Sequence, residues 1–372
     1  MAHFSTPHSQ EVFLMKLGFF TMPLHPPGSD LTRTMDDDME QIVILDELGY
    51  IEAWIGEHFT FEWENIPSPE LFIAKALGLT KNIVFGTGVT CMPIHNPASV
   101  AHRIAQLDHL AHGRFYWGVG SSSVPGDREL FMFDDEKGDR RKATREGVDA
   151  VLQIWEDPKP GLYESDYWSY KIPEPVEKIG LRLHVKPYQK PHPPIAMGGV
   201  SPRSDTLVLA GERGWIPMSL NLVHTGIVQT HWDAVEEGAR KTGRTPDRSM
   251  WRIAREVYVA DTTEQARKEA LEGTLGRDFE QYWFNLLPKE RFKRDPNMSD
   301  SEVTVEYLLD NLWIVGSPDD VADQLRQLYE EVGGFGVLLA MGHEWVPKDQ
   351  WLNSMTLLMN EVMPRLADLT AK

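Results

Sequence analysis

Cys91 is the only cysteine among the 372 residues, so no intramolecular disulfide and no multi-cysteine metal site can form. A reducing, cytoplasmic setting is the expectation. Cationic side chains are also scarce: 37 Lys and Arg stand against 56 Asp and Glu, a formal charge of −19. That sign is wrong for gripping nucleic acid or an anionic membrane surface. No stretch approaches the ~18 uninterrupted apolar residues of a spanning helix. The N-terminus lacks a basic segment ahead of an apolar core, and its run Val12 to Met15 is cut by Lys16. No signal peptide is expected, and residues 1–14 read as an extension before the first strand. Also missing are a G-x-G-x-x-G dinucleotide fingerprint, a G-x-S-x-G hydrolase elbow, and any short-period repeat.

What is present is a rhythm of short apolar runs alternating with amphipathic stretches. Strands are expected at Leu17–Thr21, Ala53–Gly56, Ile83–Val89, Arg114–Val119, Ile195–Met197, Trp215–Met218, Ile253–Val259 and Phe335–Ala340. Helices fall between them. Val321, Leu325, Leu328, Tyr329 and Val332 repeat at helical spacing, as do Trp351, Met355, Leu358, Met359 and Val362. Strands without polar alternation belong to parallel sheets covered by helices, and eight of them favour closure into an α/β (β/α)8 TIM-type barrel. Residues 15–372 read as one such domain. Two proline- or charge-rich segments, about 156–194 and 277–303, break the rhythm and read as insertions over the carboxyl-terminal face.

Barrel chemistry sits at the carboxyl ends of the strands. After the second strand come Glu57 and His58 among the aromatics Phe59, Phe61 and Trp63. A histidine there can give or take a proton near neutrality. Gly86 and Gly88 would let a flat ring approach the backbone of strand three. Gly120 and Ser121 follow strand four, and Gly198, Gly199, Val200, Ser201 and Arg203 lead into a helix expected at about Asp205. Backbone N–H groups at such a helix start form a sensible phosphate cradle. Phe59, Trp63, Met92, Trp117 and Trp345 are the expected walls of an apolar substrate pocket. His109 and His112 lie three apart on a helix but have no third ligand in a zinc-type pattern, so no metal is expected.

The runs Met15-Lys16-Leu17-Gly18-Phe19-Phe20, Trp54-Ile55-Gly56-Glu57-His58, Trp63-Glu64-Asn65-Ile66-Pro67, His95-Asn96-Pro97 and Gly113-Arg114-Phe115-Tyr116-Trp117-Gly118 resemble the bacterial-luciferase-like family. Within it, the limonene and diketocamphane monooxygenase branch is most similar, and the resemblance extends from about residue 15 to Pro364. It implies a homodimeric barrel that takes reduced FMN from a separate NAD(P)H:flavin reductase. With O2 the flavin would form a C4a-peroxyflavin and deliver one oxygen atom to a small terpenoid or alicyclic substrate. It further implies a catalytic His58 with Glu57 beside it, and flavin contacts from Gly88, Val89, Gly120, Ser121, Gly198, Gly199, Val200 and Ser201. Where luciferases carry a reactive cysteine, this chain has Gly120. A luciferase phosphate-binding glutamate-serine pair falls near Gly199 and Val200. A deazaflavin-dependent oxidoreductase on the same barrel, or a non-catalytic flavin-binding paralogue, are the alternatives. Epoxidation and Baeyer-Villiger oxidation stay undivided at this stage.

Overall fold

The computed structural model describes residues 15–369 apart from Ser123, Asp135 and Lys137, so the expected extension at 1–14 lies outside the described residues. Eight parallel strands make up the barrel: β1 (Lys16–Thr21), β2 (Glu52–Ile55), β3 (Val84–Thr87), β4 (Phe115–Gly120), β5 (Ile195–Gly199), β6 (Ile216–Ser219), β7 (Arg252–Arg255) and β8 (Val337–Met341). Each pairs with its sequence neighbours, and β8 pairs with β1, which closes the ring. Around it pack α1 (Leu31–Leu48), α2 (Pro69–Leu77), α3 (Pro97–Ala111), α4 (Arg140–Trp155), α5 (Asp205–Arg213), α6 (Thr225–Lys241), α7 (Pro318–Val332) and α8 (Lys348–Leu357). The eight expected strands all appear, with shifted ends. Helix ends are set by local chemistry: Asp30 accepts from the Arg33 amide at the start of α1, and Gly49 ends that helix at φ 96°, a conformation costly for residues with a Cβ.

Two strands differ from the sequence expectation. The third stops at Thr87, because Gly88 is joined to Val89 by a cis peptide and Thr90–Cys91 then pairs separately with β4. The seventh breaks after Arg255; Val257–Val259 pairs instead with Ile314–Gly316, outside the barrel. The apolar run concealed that break, since both pieces are buried.

Side chains that alternate along the strands divide between two cores. Phe20, Trp54, Ala196, Ile216, Met218, Ala254, Leu339 and Met341 fill the barrel. Phe19, Phe85, Phe115, Trp117 and Ile253 face the helices. Within the barrel a bidentate Arg252–Glu52 ion pair (3.1 and 3.0 Å) also ties the Trp54 indole N–H to Glu52 at 2.9 Å. A Cβ on Gly86 would lie 2.2 Å from the Trp54 ring, and one on Gly88 would lie 3.0 Å from Phe20. The rings beside these glycines are therefore the protein's own, Trp54 over Gly86 and Phe20 beside Gly88, which corrects the reading that they make room for a cofactor.

The second insertion lies over the carboxyl face; the first reaches its edge through a hairpin turn, where the Tyr167 hydroxyl accepts from the Asp139 amide at the start of α4 and its ring stacks on Phe133 at 6.2 Å. The second carries the turns Phe279–Trp283, Phe284–Leu286, Lys289–Phe292 and Asp300–Glu302, preceded by Thr274–Asp278. The first places a hairpin, Gly161–Glu164 with Ser169–Ile172, along the flank of α4, where the Trp168 indole donates to the Ala143 carbonyl at 2.8 Å. Its remainder runs to the amino end of the barrel, where Gln189 bonds Asp108 and the Phe115 carbonyl. The half-buried Gln189 bonds anchor that remainder away from the mouth.

Candidate active site

β2 delivers Gly56-Glu57-His58 to the barrel mouth, and the following loop folds back so that both His58 ring nitrogens meet carboxylates. Nδ1 is 3.2 Å from Asp127 Oδ2, and Nε2 is 2.8 Å from Glu64 Oε2. Asp127, on the short helix Pro125–Leu130, is buried and also accepts from the Phe59 and Thr60 amides and the Thr60 hydroxyl. Burial alone would lower the His58 pKa, but the Glu64 charge and the Asp127 hydrogen bond outweigh it and raise it to about 10. His58 is thus a fixed imidazolium at neutral pH, 12% exposed. On the far side of Glu64, the Tyr282 hydroxyl donates to Oε1, which joins the second insertion to the β2 loop.

Glu57, 2% exposed, points the other way. It accepts from the Cys91 amide at 2.8 Å and meets His95 Nε2 at 2.9 Å, fixing the chain after β3. Burial and the charges of Glu57 and Asp127 push the Cys91 thiol well up, so it is no nucleophile. A second carboxylate-histidine group closes the other side of the mouth. His25 lies between Asp38 (2.9 Å) and Glu344 (3.2 Å), and these partners lift its pKa to about 9 against the opposing effect of burial. Arg277 bridges Glu344 and Asp278, both at 2.6 Å, and His343 Nδ1 lies 2.8 Å from the second oxygen of Asp278. The insertion is therefore bolted to the loops after β1, β2 and β8.

Between these walls several buried polar atoms have no partner among the described residues: His343 Nε2 and Trp345 Nε1 after β8, Glu256 Oε2 after β7, and Ser122 Oγ after β4. Leaving such groups unpaired costs ~1–3 kcal/mol each, so a ligand or water is the ordinary explanation. Phe59, Phe61, Trp63, Tyr282 and Phe131 surround this space with aromatic rings; Phe59 meets Phe131 edge-on at 4.8 Å and Trp63 lies 5.5 Å from Tyr282.

At the opposite rim, Gly198 and Gly199 end β5. Leu207 fills the space over Gly199, where a Cβ would sit 2.6 Å away. Val200 is half-buried, and the exposed Ser201 offers its carbonyl to His231 Nε2 at 3.0 Å. Arg203 turns outward to Glu237 and gives nothing to the mouth. Basic charge comes instead from the start of α4: Arg141 and Arg145 line a crevice with Ser121, Thr144, Thr206 and Asp205, and Asp205 pairs with Arg141, which among the described residues leaves Arg145 as the cation without a counter-charge in that lining. Ser121 Oγ accepts from Thr144 at 3.0 Å, and Gly120 packs on Val89, to which a Cβ would come within 2.4 Å. Cations in the first turn of a helix oppose its dipole. Arg140-Arg141-Lys142 in that position was the signal in the sequence, and it went unread.

Two expected pocket residues lie elsewhere. Trp117 is fully buried in the outer core, edge-on to Trp155 at 5.4 Å, because strand alternation turns it toward α4. Met92 is equally buried and points at Gly147 of α4. His112 caps α3 at φ 50°, off the face that carries His109. The residues missed by the sequence reading are Asp127, Glu64 as a partner of His58, His25, Glu256, Tyr282 and His343. Most act through a contact of long sequence separation, such as the 218 positions from Glu64 to Tyr282.

A family model described as luciferase-like monooxygenase matches residues 15–334. The chain is 31% identical to 3,6-diketocamphane 1,6-monooxygenase of Pseudomonas putida over 95% of its own length and 98% of the relative's. It is 32% identical to limonene 1,2-monooxygenase of Rhodococcus erythropolis, covering 93% and 85% of the two chains. Among solved structures, the oxygenating constituent of the Pseudomonas putida 3,6-diketocamphane monooxygenase, a type II Baeyer-Villiger monooxygenase in complex with FMN, superposes with a TM-score of 0.88 at 31% identity. That superposition covers 96% of this chain and 99% of the other.

Proposed function

The chain belongs to the luciferase-like monooxygenase family and is a flavin-dependent monooxygenase using FMN, and on that premise we propose the rest of its activity. It receives FMN already reduced by a separate NAD(P)H:flavin reductase, works as a homodimer, and inserts one atom of O2 into a small apolar alicyclic or terpenoid substrate. The observation that carries this reading is the set of buried, unpartnered polar atoms at the mouth, His343 Nε2, Trp345 Nε1 and Ser122 Oγ, beside an aromatic wall. Polar atoms that fix orientation within an apolar cleft are what an isoalloxazine and an apolar substrate require together. Arg141, Arg145, Ser121 and the chain from Gly198 to Ser201 would hold the phosphate, with Val89 and Gly120 beside the ring. Bound reduced flavin supplies the electrons and activates the oxygen.

The protein's own contribution is positioning, charge and exclusion of water. His58 remains a cation because Glu64 and Asp127 hold its proton, so it does not act as a base; with both N–H groups spent on those carboxylates, it fixes the loop after β2 against the mouth. Glu57 orients the loop after β3, and the insertion anchored by Arg277 and Tyr282 shields the site. Phe59, Trp63 and Trp345 face the substrate. Anaerobic titration with reduced FMN should saturate, and binding should weaken in Ser201→Asp, whose charge opposes the phosphate. With a flavin reductase and 18O2, an alicyclic ketone or alkene should gain one labelled atom. Preference for a deazaflavin over reduced FMN, or oxidation without label, would overturn the reading.

A further inference from the structure

Outside the barrel mouth, a cleft of about 590 Å³ opens between α6, α7 and the segment 310–314, lined by His224, Thr225, Gly226, Arg255, Arg294 and Trp313 among others. Its position follows from strand alternation. Arg252 and Ala254 of β7 face into the barrel, so Arg255 points outward beneath the helical layer. Arg255 is 2% exposed, and its Nη1 donates to the carbonyl of its chain neighbour Ala254 at 3.0 Å. Its Nη2 is one of two buried donors in this lining without a partner among the described residues; the other is Trp313 Nε1. Neither Arg255 nor Arg294 forms an ion pair among the described residues. Of the two carboxylates in the lining, Asp310 pairs with Arg267 outside it, and Glu331 accepts from Gln327 of the same lining. Two unpaired arginines in one cleft run against the formal charge of −19.

We propose that this cleft is a binding site for a phosphate monoester, held by Arg255 and Arg294 at the amino end of the 17-residue α6. Burial together with the charges of Arg255 and Arg294 already lowers the pKa of His224, which sits at the start of that helix. Positive charge thus faces the amino end of α6 with no carboxylate within ion-pair distance of either arginine among the described residues. A buried arginine is tolerated when an anion pairs with it, and helix amino ends with free amides favour phosphate. Gly226 leaves the approach to those amides bare, since a Cβ there would meet only the His224 ring, at 3.1 Å. The cleft has room for a group larger than phosphate itself, such as a nucleoside or a ribityl chain.

The test is equilibrium dialysis of labelled AMP against the FMN-loaded protein. One AMP per chain is expected, displaced by inorganic phosphate, with affinity weakened about tenfold or more in Arg294→Gln and in Gly226→Asp. Oxygenation should be unchanged in both variants, and occupancy should raise the His224 pKa as followed by NMR. Excess FMN that displaces AMP would identify flavin phosphate as the source, whereas displacement by nucleotides alone would identify a nucleotide. Absence of AMP binding, or binding that neither variant weakens, would overturn the proposal. Since FMN loading is verified first, failure here is distinguishable from failure at the barrel mouth.

Discussion

A histidine between two carboxylates is held as a cation at the cost of its ability to act as a base. His58 has a folded pKa of about 10 against 6.5 unfolded. Its contribution to stability is therefore fully present below pH 6.5 and lost as the pH rises through about 10. Urea unfolding should accordingly weaken between about pH 7 and 10, and His58→Gln should remove part of that slope, with the remainder owed to His25, which titrates at about 9. The same variant should retain FMN binding while product formation drops ~10²-fold, the scale on which misplacing groups at a reacting centre acts, and hydrogen peroxide rises in its place. Normal product yield from His58→Gln would leave the histidine a purely structural member of the loop. Gly86 makes a second residue-scale case. Because Trp54 occupies the space above it, Gly86→Ala should lower stability by ~1–3 kcal/mol through overpacking, read by thermal unfolding. A cofactor cradle would instead show lost FMN affinity at unchanged stability.

At the level of elements, the second insertion gains its order from a few polar bonds to three loops, so removing one should loosen the whole segment. Tyr282→Phe deletes the donor to Glu64 while keeping the ring against Trp63 and Phe61. Limited proteolysis within 274–302 should then speed up several-fold, and flavin plus substrate should slow it in the parent protein. Equal cutting in both states would argue against a cover. The barrel itself was legible in the sequence, because eight apolar runs separated by helical periodicity leave few other folds open. The break after Arg255 was not, since a strand leaving the barrel for a second buried sheet keeps the same apolar signature. Glu57 and His58 were visible by position, at the end of β2. Glu64, Asp127, Tyr282 and His343 were not, because what gives them a role is proximity across the mouth, which spacing along the chain does not encode. Trp117 and Met92 were misplaced for a related reason: aromatic and sulfur-bearing residues near a strand end satisfy a pocket and a helix-facing core equally well, and only the register decides between them.

The molecule as a whole carries a formal charge of −19, yet its cofactor is a phosphate-bearing anion. Two fields of opposite sign therefore act on an approaching flavin. The body repels it over tens of ångströms, while the crevice at the start of α4, where we propose the phosphate binds and where Arg145 stands beside the Arg141–Asp205 ion pair, would attract it over a much shorter range. Screening separates the two, because the Debye length shrinks from ~30 Å at 0.01 M salt to ~10 Å at 0.1 M. The distant, diffuse charge is silenced first and the local cations last. Stopped-flow association of reduced FMN should consequently accelerate as salt rises over that range, and slow again only toward 1 M, where the ~3 Å Debye length screens the crevice as well. In Arg145→Gln the rate should be lower at every salt concentration, and the final slowing should be shallower, since less local attraction remains to be screened. An association rate that falls steadily from the lowest salt upward would mean that the local cations dominate at all distances. The phosphate would then be captured by a larger basic surface than the start of α4 provides.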